Sequence, residues 1–296
     1  MKRKNLWGKL LGIAYGFLLI AFTVYVVLDT FVIERVYTVA PSVDPGQSSA
    51  SGDDPLVFDW AQNAVITANS YEDENISIVI TNYTEDKTRI HVADVKLSSP
   101  EYLKTAFAQG TYGRNVKAET TETAKNVHAI FAVNGDYYGA RYYGYVVRNG
   151  ILYRNTPIGR EVLAIYADGS FGLYTEKEKT AEQLVGEGAV QVICFGPILI
   201  KDGEISISTN SKIKQPRTAI GLIDDLHYLF VVTDGRTNDS AGLTYQELAE
   251  FMLSLGVKEA YNLDGGGSSA MYFNGVTVNK IADAEREVSD IVYIGY

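Results

Sequence analysis

Between Leu10 and Leu28 the chain reads LLGIAYGFLLIAFTVYVVL, nineteen residues without a charge. A run of that length and character matches a helix that spans the hydrocarbon of a bilayer. Lys2, Arg3, Lys4 and Lys9 precede it, and Asp29 comes directly after it. A cleavable signal peptide has a shorter apolar region followed closely by a small-x-small site. The nearest such triplet, Thr38-Val39-Ala40, lies beyond Asp29, Glu34 and Arg35, so the run is expected to be an uncleaved anchor. Positive charge ahead of the span keeps the amino end in the cytoplasm and directs the remainder of the chain outward. The expected organisation is a cytoplasmic basic segment (1–9), a transmembrane anchor (10–28), an extracytoplasmic linker (29–54) and one domain (55–296). Within the linker, PSVDPGQSSASGDD from Pro41 to Asp54 has little to bury and reads as a tether.

The domain is long enough to bury one substantial core, with 46% hydrophobic residues in the whole chain. A formal net charge of -10, from 26 basic and 36 acidic residues, excludes a nucleic-acid partner recognised through phosphate neutralisation. Cys194 is the single cysteine, so no intramolecular disulfide forms, and its place in the run VQVICF predicts a buried structural thiol.

Short runs rich in Val, Ile, Tyr and Phe recur with turn signals between them: ISIVI (76–80), TRIHVADV (88–95), AIFAV (129–133), EVLAIYA (161–167), VQVICF (190–195), AIGLI (219–223), LHYLFVV (226–232) and IVYIGY (291–296). These predict strands. No fixed period relates them, which argues against a propeller or solenoid. Helices are fewer. In LTYQELAEFMLSLG, Thr244 and Glu247 form a capping box, Leu243 and Leu248 a staple, and Gly256 the stop. A second helix is predicted from Ser99-Pro100 to Gly110, and a short third after Thr180. The fold class expected is α+β (mixed α/β): one strand-rich catalytic domain with a few flanking helices, preceded by one transmembrane helix.

Three polar clusters come after apolar strands. In AIFAVNGDYYG, Asn134, Asp136, Tyr137 and Tyr138 come after Val133, where a rigid sheet can present functional groups. A tight Asn-Gly hairpin turn explains the same residues. In QPRTAIGLIDDLHYLFVVTDGR, a hairpin would bring Arg217 beside Asp234 and Arg236 at one sheet edge. Two guanidiniums near a carboxylate suit an anionic group such as a phosphate, and a solvated salt bridge is the competing account. In YNLDGGGSSAMYFNG, Asp264 closes a strand, and Gly265, Gly266, Gly267, Ser268 and Ser269 lead into the next. Glycines let backbone amides approach a ligand, and successive amides make an anion-holding concavity. The stretch matches neither a P-loop nor a dinucleotide fingerprint. Because a strand leads in and another leads out, a defined turn is expected rather than a flexible linker.

AVNGDYYG, FGPILIKDG, QPRTAIGL, VVTDGR, YNLDGGGSSAMYFNG and EREVSDIVYI, in that order from about Ala129 to Tyr296, resemble the phosphodiester glycosidase family. The resemblance implies hydrolysis of a sugar-1-phosphodiester, water adding at the anomeric carbon and a phosphomonoester leaving, and the outward topology expected of the chain adds a cell-surface or exported glycopolymer as the substrate. A phosphate leaving group is already a stable anion, so neutralisation of charge matters more than a strong general acid. Arg217, Arg236 and the amides of Gly265 to Ser268 suit that task. Asp136, Asp234 and Asp264 are the candidate catalytic carboxylates. Asn134 with Ser268 or Ser269 would contact hydroxyls and phosphate. Glu285 and Arg286 either complete the pocket or pair across the surface. No cofactor is required. His91, His128 and His227 show no metal-ligand spacing, and composition leaves a divalent cation at Asp136 or Asp264 open. Expected partners are a sugar-phosphate or phosphoglycan substrate and, through the amino-terminal helix, the membrane. A surface carbohydrate-binding module without turnover and a tethered scaffold are the alternatives from other classes.

Overall fold

The computed structural model describes residues 2–39, 63–281 and 284–296. Every pairing between its strands is antiparallel, which places the domain in the α+β half of the expected class. A nine-stranded sheet runs in the order 204–205, 198–201, 259–262, 218–224, 227–233, 88–97, 76–85, 70–72 and 65–66. One five-stranded sheet is ordered 276–277, 271–273, 131–134, 290–294, 103–107, and the other 151–156, 144–148, 189–193, 161–166, 171–175.

The three sheets share one core. Ile78, Val95, Phe230 and Tyr261 from the large sheet meet Phe131, Phe273 and Val292 from the second and Leu163 and Ile193 from the third. The rings of Phe131 and Phe230 lie 5.0 Å apart, pinning two sheets together. Each such side chain contributes about 1.5–3 kcal/mol through burial. The helix Tyr245–Ser254 covers the other face of the large sheet. Its Leu248, Phe251 and Met252 pack with Leu199, Ala219 and Val231. The capping box at Thr244 and Glu247 forms as the spacing predicts, and a second box at Thr180 and Gln183 opens the short helix Ala181–Gly186.

The helix expected over 99–110 does not form. Pro100 starts only one 3-10 turn, Pro100–Tyr102, and Leu103–Phe107 then runs as a strand beside Asp290–Ile294. Leu103, Thr105 and Phe107 are buried and Lys104 and Ala106 less so, a period of two that overrides the proline start signal. The helix that does form nearby is Thr120–Asn126.

At the amino end, one helix covers Lys2–Phe31, and its stretch Lys9–Phe31 is long and apolar enough to cross a membrane. The chain after it is not wholly a tether. Arg35–Val39, inside the expected linker 29–54, pairs antiparallel with Thr111–Arg114 of the domain. Asp29 is held by Arg114 at 3.2 Å, and Asn115 donates to Ile33 O at 3.0 Å. The segment Pro41–Asp54, with Ala40 and the expected domain start at 55, lies outside the described residues.

Candidate active site

Strands from all three sheets end at one place. Phe131–Asn134 ends in Asn134, Glu259–Asn262 leads to Asp264, and Ala189–Ile193 leads to Cys194. Asp264 N donates to Gly135 O and Asn262 N to Pro197 O, each at 3.1 Å. Asn134 is fully buried and joins these ends: its Nδ2 donates to Asp264 O (2.7 Å), and its Oδ1 accepts from Thr218 Oγ1 (2.8 Å) and Ala270 N (3.2 Å). The hairpin alternative for Asn134-Gly135 therefore does not hold. The flanking partners of this strand are 271–273 and 290–294, far away in sequence. Asn134 orients backbone here and reaches no solvent. Gly135 has to be glycine, since a Cβ there would fall 2.4 Å from Asp290 Oδ1.

Asp136 is buried at the meeting point. Its Oδ1 accepts from Tyr138 N (2.5 Å) and its Oδ2 from Cys194 N (3.1 Å). Arg148, also buried, donates to Asp136 Oδ2 at 3.3 Å and to Asp290 Oδ2 through Nε (2.8 Å) and Nη2 (2.6 Å). Burial raises the Asp290 carboxyl above the usual range, Arg148 opposing and Asp136 reinforcing the shift. Burial likewise pushes the Cys194 thiol up to about 12, which suits a structural cysteine.

Arg141 approaches from the open side. Its side chain is 8% exposed, with Nη2 3.9 Å from Asp136 Oδ1. Nε donates to Tyr137 O at 3.0 Å, while Nη2 is buried with no hydrogen-bond partner. A buried guanidinium with an unused donor is poised for an acceptor from outside the chain. Beside it lies a cavity of about 380 Å³ with Tyr137, Tyr143, Arg160 and Lys117 in its wall.

Asp264 faces the same region. Oδ1 accepts from Gly265 N (2.8 Å) and Oδ2 from Arg286 Nη2 (3.1 Å). Burial raises its carboxyl, while hydrogen bonding by Ser268 and the charges of Arg286 and Arg141 pull it back only in part. Arg286 is half-exposed and also donates from Nε to Ser268 Oγ (2.7 Å), its guanidinium 5.8 Å from the Tyr137 ring. Asp136, Asp264, Arg141 and Arg286 thus form one polar group around Tyr137.

Other expected members behave differently. Arg217 is buried and committed to carbonyls, Nε to Leu243 O (3.0 Å) and Nη2 to Ile213 O (2.9 Å), with its guanidinium 3.7 Å over the Tyr245 ring. Asp234 accepts from Arg89 Nε (2.9 Å) and Lys280 N (2.9 Å) and pairs with His91 Nε2 at 3.0 Å. It shares no partner with Asp136 or Asp264. Burial works to raise Asp234, but the bonds to His91 and Arg89 outweigh it and hold the carboxyl below its usual range. Arg236 does reach the glycine loop, since a Cβ on Gly266 would lie 3.2 Å from its Nη1.

The amide concavity expected at 265–268 is largely used up, because three of its four amides are bonded within the protein. Gly265 N goes to Asp264 Oδ1, Gly266 N to Pro216 O, and Ser268 N and Ser269 N to Gly265 O and Gly266 O. Gly267 presents its backbone to Arg286, with a Cβ there 3.6 Å from Arg286 Cβ. Ser269 Oγ is buried without a partner. Glu285 and Arg286 do not pair. Glu285 turns away to accept from Thr121 N and Oγ1 (3.2 and 2.9 Å) at the start of Thr120–Asn126. Among the described residues, no group of three or more His, Cys, Asp or Glu could hold a metal ion. Sequence reasoning missed Arg141, Arg148 and Asp290. Arg141 stands five residues after Asp136 in NGDYYGAR, the one local signal available.

Comparison with known proteins places these features. The family model for phosphodiester glycosidase matches residues 127–295. The SPbeta prophage-derived protein YomE of Bacillus subtilis is 28% identical over 247 residues, 78% of this chain and 38% of its own length. Human N-acetylglucosamine-1-phosphodiester alpha-N-acetylglucosaminidase is 30% identical over 125 residues, covering 36% of this chain and 24% of the human protein. The chain therefore spans well under half of these curated relatives. Among solved structures, the zebrafish N-acetylglucosamine-1-phosphodiester alpha-N-acetylglucosaminidase catalytic domain, auto-inhibited by its pro-peptide, matches with TM-score 0.60 at 22% identity, over 79% of this chain and 88% of that one. A hypothetical protein from Synechocystis matches with TM-score 0.60 at 13% identity, over 75% and 62% of the two chains. The strand-end motifs, their convergence and the family match agree: this chain belongs to the phosphodiester glycosidase family.

Proposed function

We propose that this chain is a membrane-anchored, outward-facing hydrolase that cleaves a sugar-1-phosphodiester of a cell-surface or exported glycan. The observation that carries the reading is Arg141: a buried guanidinium with an unpartnered Nη2, between Asp136 and the cavity, acting electrostatically on Asp264. Such a group binds and neutralises the phosphate as its bridging oxygen takes up charge. Arg286, half-exposed and fixed to Ser268 and Asp264, is the second donor. Water adds at the anomeric carbon, the bond from that carbon to the phosphate oxygen breaks, and a phosphomonoester leaves. Asp264, raised by burial, is suited to exchange the proton, since a carboxyl shifted toward the working pH does so most effectively. Asp136, fixed by two amides and Arg148, supplies an oriented oxygen pair facing the developing positive centre.

Anchoring is supported by more than length. A removable signal would not be built into the fold, whereas here Asp29 is held by Arg114 and Arg35–Val39 pairs with the domain. The test is turnover of N-acetylglucosamine-α-1-phospho-methyl ester and related sugar phosphodiesters by the detergent-solubilised full chain. Free sugar is expected from the native chain and not from folded Asp264→Asn or Asp136→Asn. Oligosaccharide binding without product across the panel would replace the enzyme by a binding module. Protection of a carboxyl-terminal tag from external protease in intact cells would overturn the outward placement.

A further inference from the structure

The cavity beside Arg141 has a second wall. Thr30 and Phe31, the last residues of the apolar helix, line it together with Asn115. The span Lys9–Phe31 holds 23 residues. At about 1.5 Å per residue it reaches roughly 34 Å, slightly past a hydrocarbon layer of about 30 Å. Its outer end therefore lies at the level of the lipid headgroups, and so does the cavity mouth. The helix end cannot swing freely from the domain. Arg114 donates to Asp29 Oδ2 at 3.2 Å and to Thr30 O at 3.3 Å, and Asn115 donates to Ile33 O at 3.0 Å.

The surface around that exit has the character of an interface. Phe31, Tyr37 and Tyr142 are all more than half exposed, and the Arg114 guanidinium lies 4.1 Å from the Tyr142 ring. Exposed aromatic rings at the end of a span are the chemistry of the headgroup layer. The cavity itself pairs this rim with cations, Lys117, Arg141 and Arg160, and Arg160 Nε is buried without a partner. Two unused guanidinium donors on residues that line the cavity, one of them, Arg141 Nη2, 3.9 Å from Asp136 at the inner end, define what fits.

From this arrangement we infer that the substrate is a lipid-linked sugar phosphate, one phosphate joining the anomeric carbon of a sugar to a membrane lipid alcohol. The inference rests on the hydrolase reading above. The lipid stays in the bilayer beside Phe31, the phosphate enters between Arg160 and Arg141, and the sugar lies over Asp136 and Asp264. Hydrolysis forms a bond from the water oxygen to the anomeric carbon and breaks the bond from that carbon to the phosphate oxygen. Free sugar leaves, one water proton passes to the released phosphate or to solvent, and the lipid monophosphate remains in the membrane. No oxidant or co-reactant besides water is needed.

The test uses the full chain reconstituted in phosphatidylcholine vesicles. Dodecyl esters of N-acetylglucosamine, N-acetylgalactosamine and glucose α-1-phosphate are compared with the soluble methyl esters of the same sugars. A second preparation carries about ten Gly and Ser residues inserted between Leu28 and Asp29, a flexible spacer that uncouples the span while Asp29, Thr30, Ile33 and the 35–39 strand keep their contacts with the domain. The expected result is a preference of about tenfold or more for a dodecyl ester, removed by the insertion with methyl ester turnover unchanged, because tethering both partners in register raises their effective concentration. Equal rates on the two ester classes, or a preference that survives the insertion, would overturn the lipid-linked substrate and leave the hydrolase standing. No sugar released from either class would sink both.

Discussion

Two polar clusters at neighbouring strand ends use the same residue types to opposite effect. Around Asp234, every strong group is matched: the carboxylate faces Arg89, His91 and Lys280 N, and Arg217 is spent on two carbonyls and the Tyr245 ring. Around Asp136 and Asp264, capacity is left over, with Arg141 Nη2 unpartnered, Arg286 half-exposed and a cavity alongside. Both clusters read alike as Arg plus Asp in sequence. The structure separates them by what remains unsatisfied, since a matched network holds a fold together whereas spare donors wait for a ligand.

The sharpest test of that contrast is a pair of substitutions. Asp264→Asn is expected to lower turnover by about 10²–10⁴-fold, the range for a lost acid or base, with thermal stability nearly unchanged or raised. Asp234→Ala is expected to do the reverse, costing about 2–3 kcal/mol in urea unfolding as buried donors lose their acceptor, with turnover per folded molecule retained. A turnover collapse in folded Asp234→Ala would erase the distinction. Arg148 marks where the clusters blur, because it is structural within the open one. Arg148→Met leaves Asp136 and Asp290 buried together without their cation and is expected to cost about 3–5 kcal/mol.

Acidity sharpens the comparison further. Asp234 lies below its usual range in the folded chain, so its contribution to stability is present above the unfolded value of about 4 and lost as pH falls through the folded value. Asp264 and Asp290 are raised, so their contribution is present below that unfolded value and lost as pH rises through the folded one. Stability measured from pH 3 to 8 should therefore lose part of its acid-side decline in Asp234→Asn and part of its alkaline-side decline in Asp264→Asn. Matching slopes in the two variants would mean that the carboxylates share one environment after all.

How much of this the sequence disclosed depended on whether the decisive partner was near in the chain. Apolar runs such as 88–95 and 226–232 were legible as strands because each is continuous. Leu103–Phe107 was not, because Pro100 gave a local helix signal and the strand's partner, Asp290–Ile294, is nearly two hundred residues away. The same holds in the site. Asp136 and Asp264 stand out by their place after apolar strands, whereas the sequence leaves Arg286 open between the pocket and a surface pair with Glu285. Arg148 sits inside the strand Gly144–Arg148, and only its ion pair with Asp290, 142 residues on, shows its role. The glycines of 265–267 read as ligand-facing amides, yet the amides of Gly265 and Gly266 are bonded within the protein, and Gly266 admits the Arg236 guanidinium against its backbone.

The smallest contrast is between adjacent residues. Glu285 and Arg286 are neighbours in the chain, but Glu285 accepts from Thr121 N and Oγ1 while Arg286 turns to Ser268 and Asp264. The helix Thr120–Asn126 has no side-chain cap from its own Glu119, so Glu285 supplies that acceptor across 164 residues of chain. Glu285→Ala is therefore expected to cost about 1 kcal/mol, the value of a lost helix cap, with turnover unaffected when assayed well below the melting temperature. Arg286→Ala is expected to spare stability and lower turnover by removing a phosphate donor. Rescue separates them: Arg286→Lys should restore part of the lost turnover through charge, whereas Glu285→Gln, keeping one acceptor oxygen, should restore part of the lost stability. If Glu285→Ala instead removed turnover without touching stability, the boundary between the scaffold and the open cluster would run through the helix at 120–126.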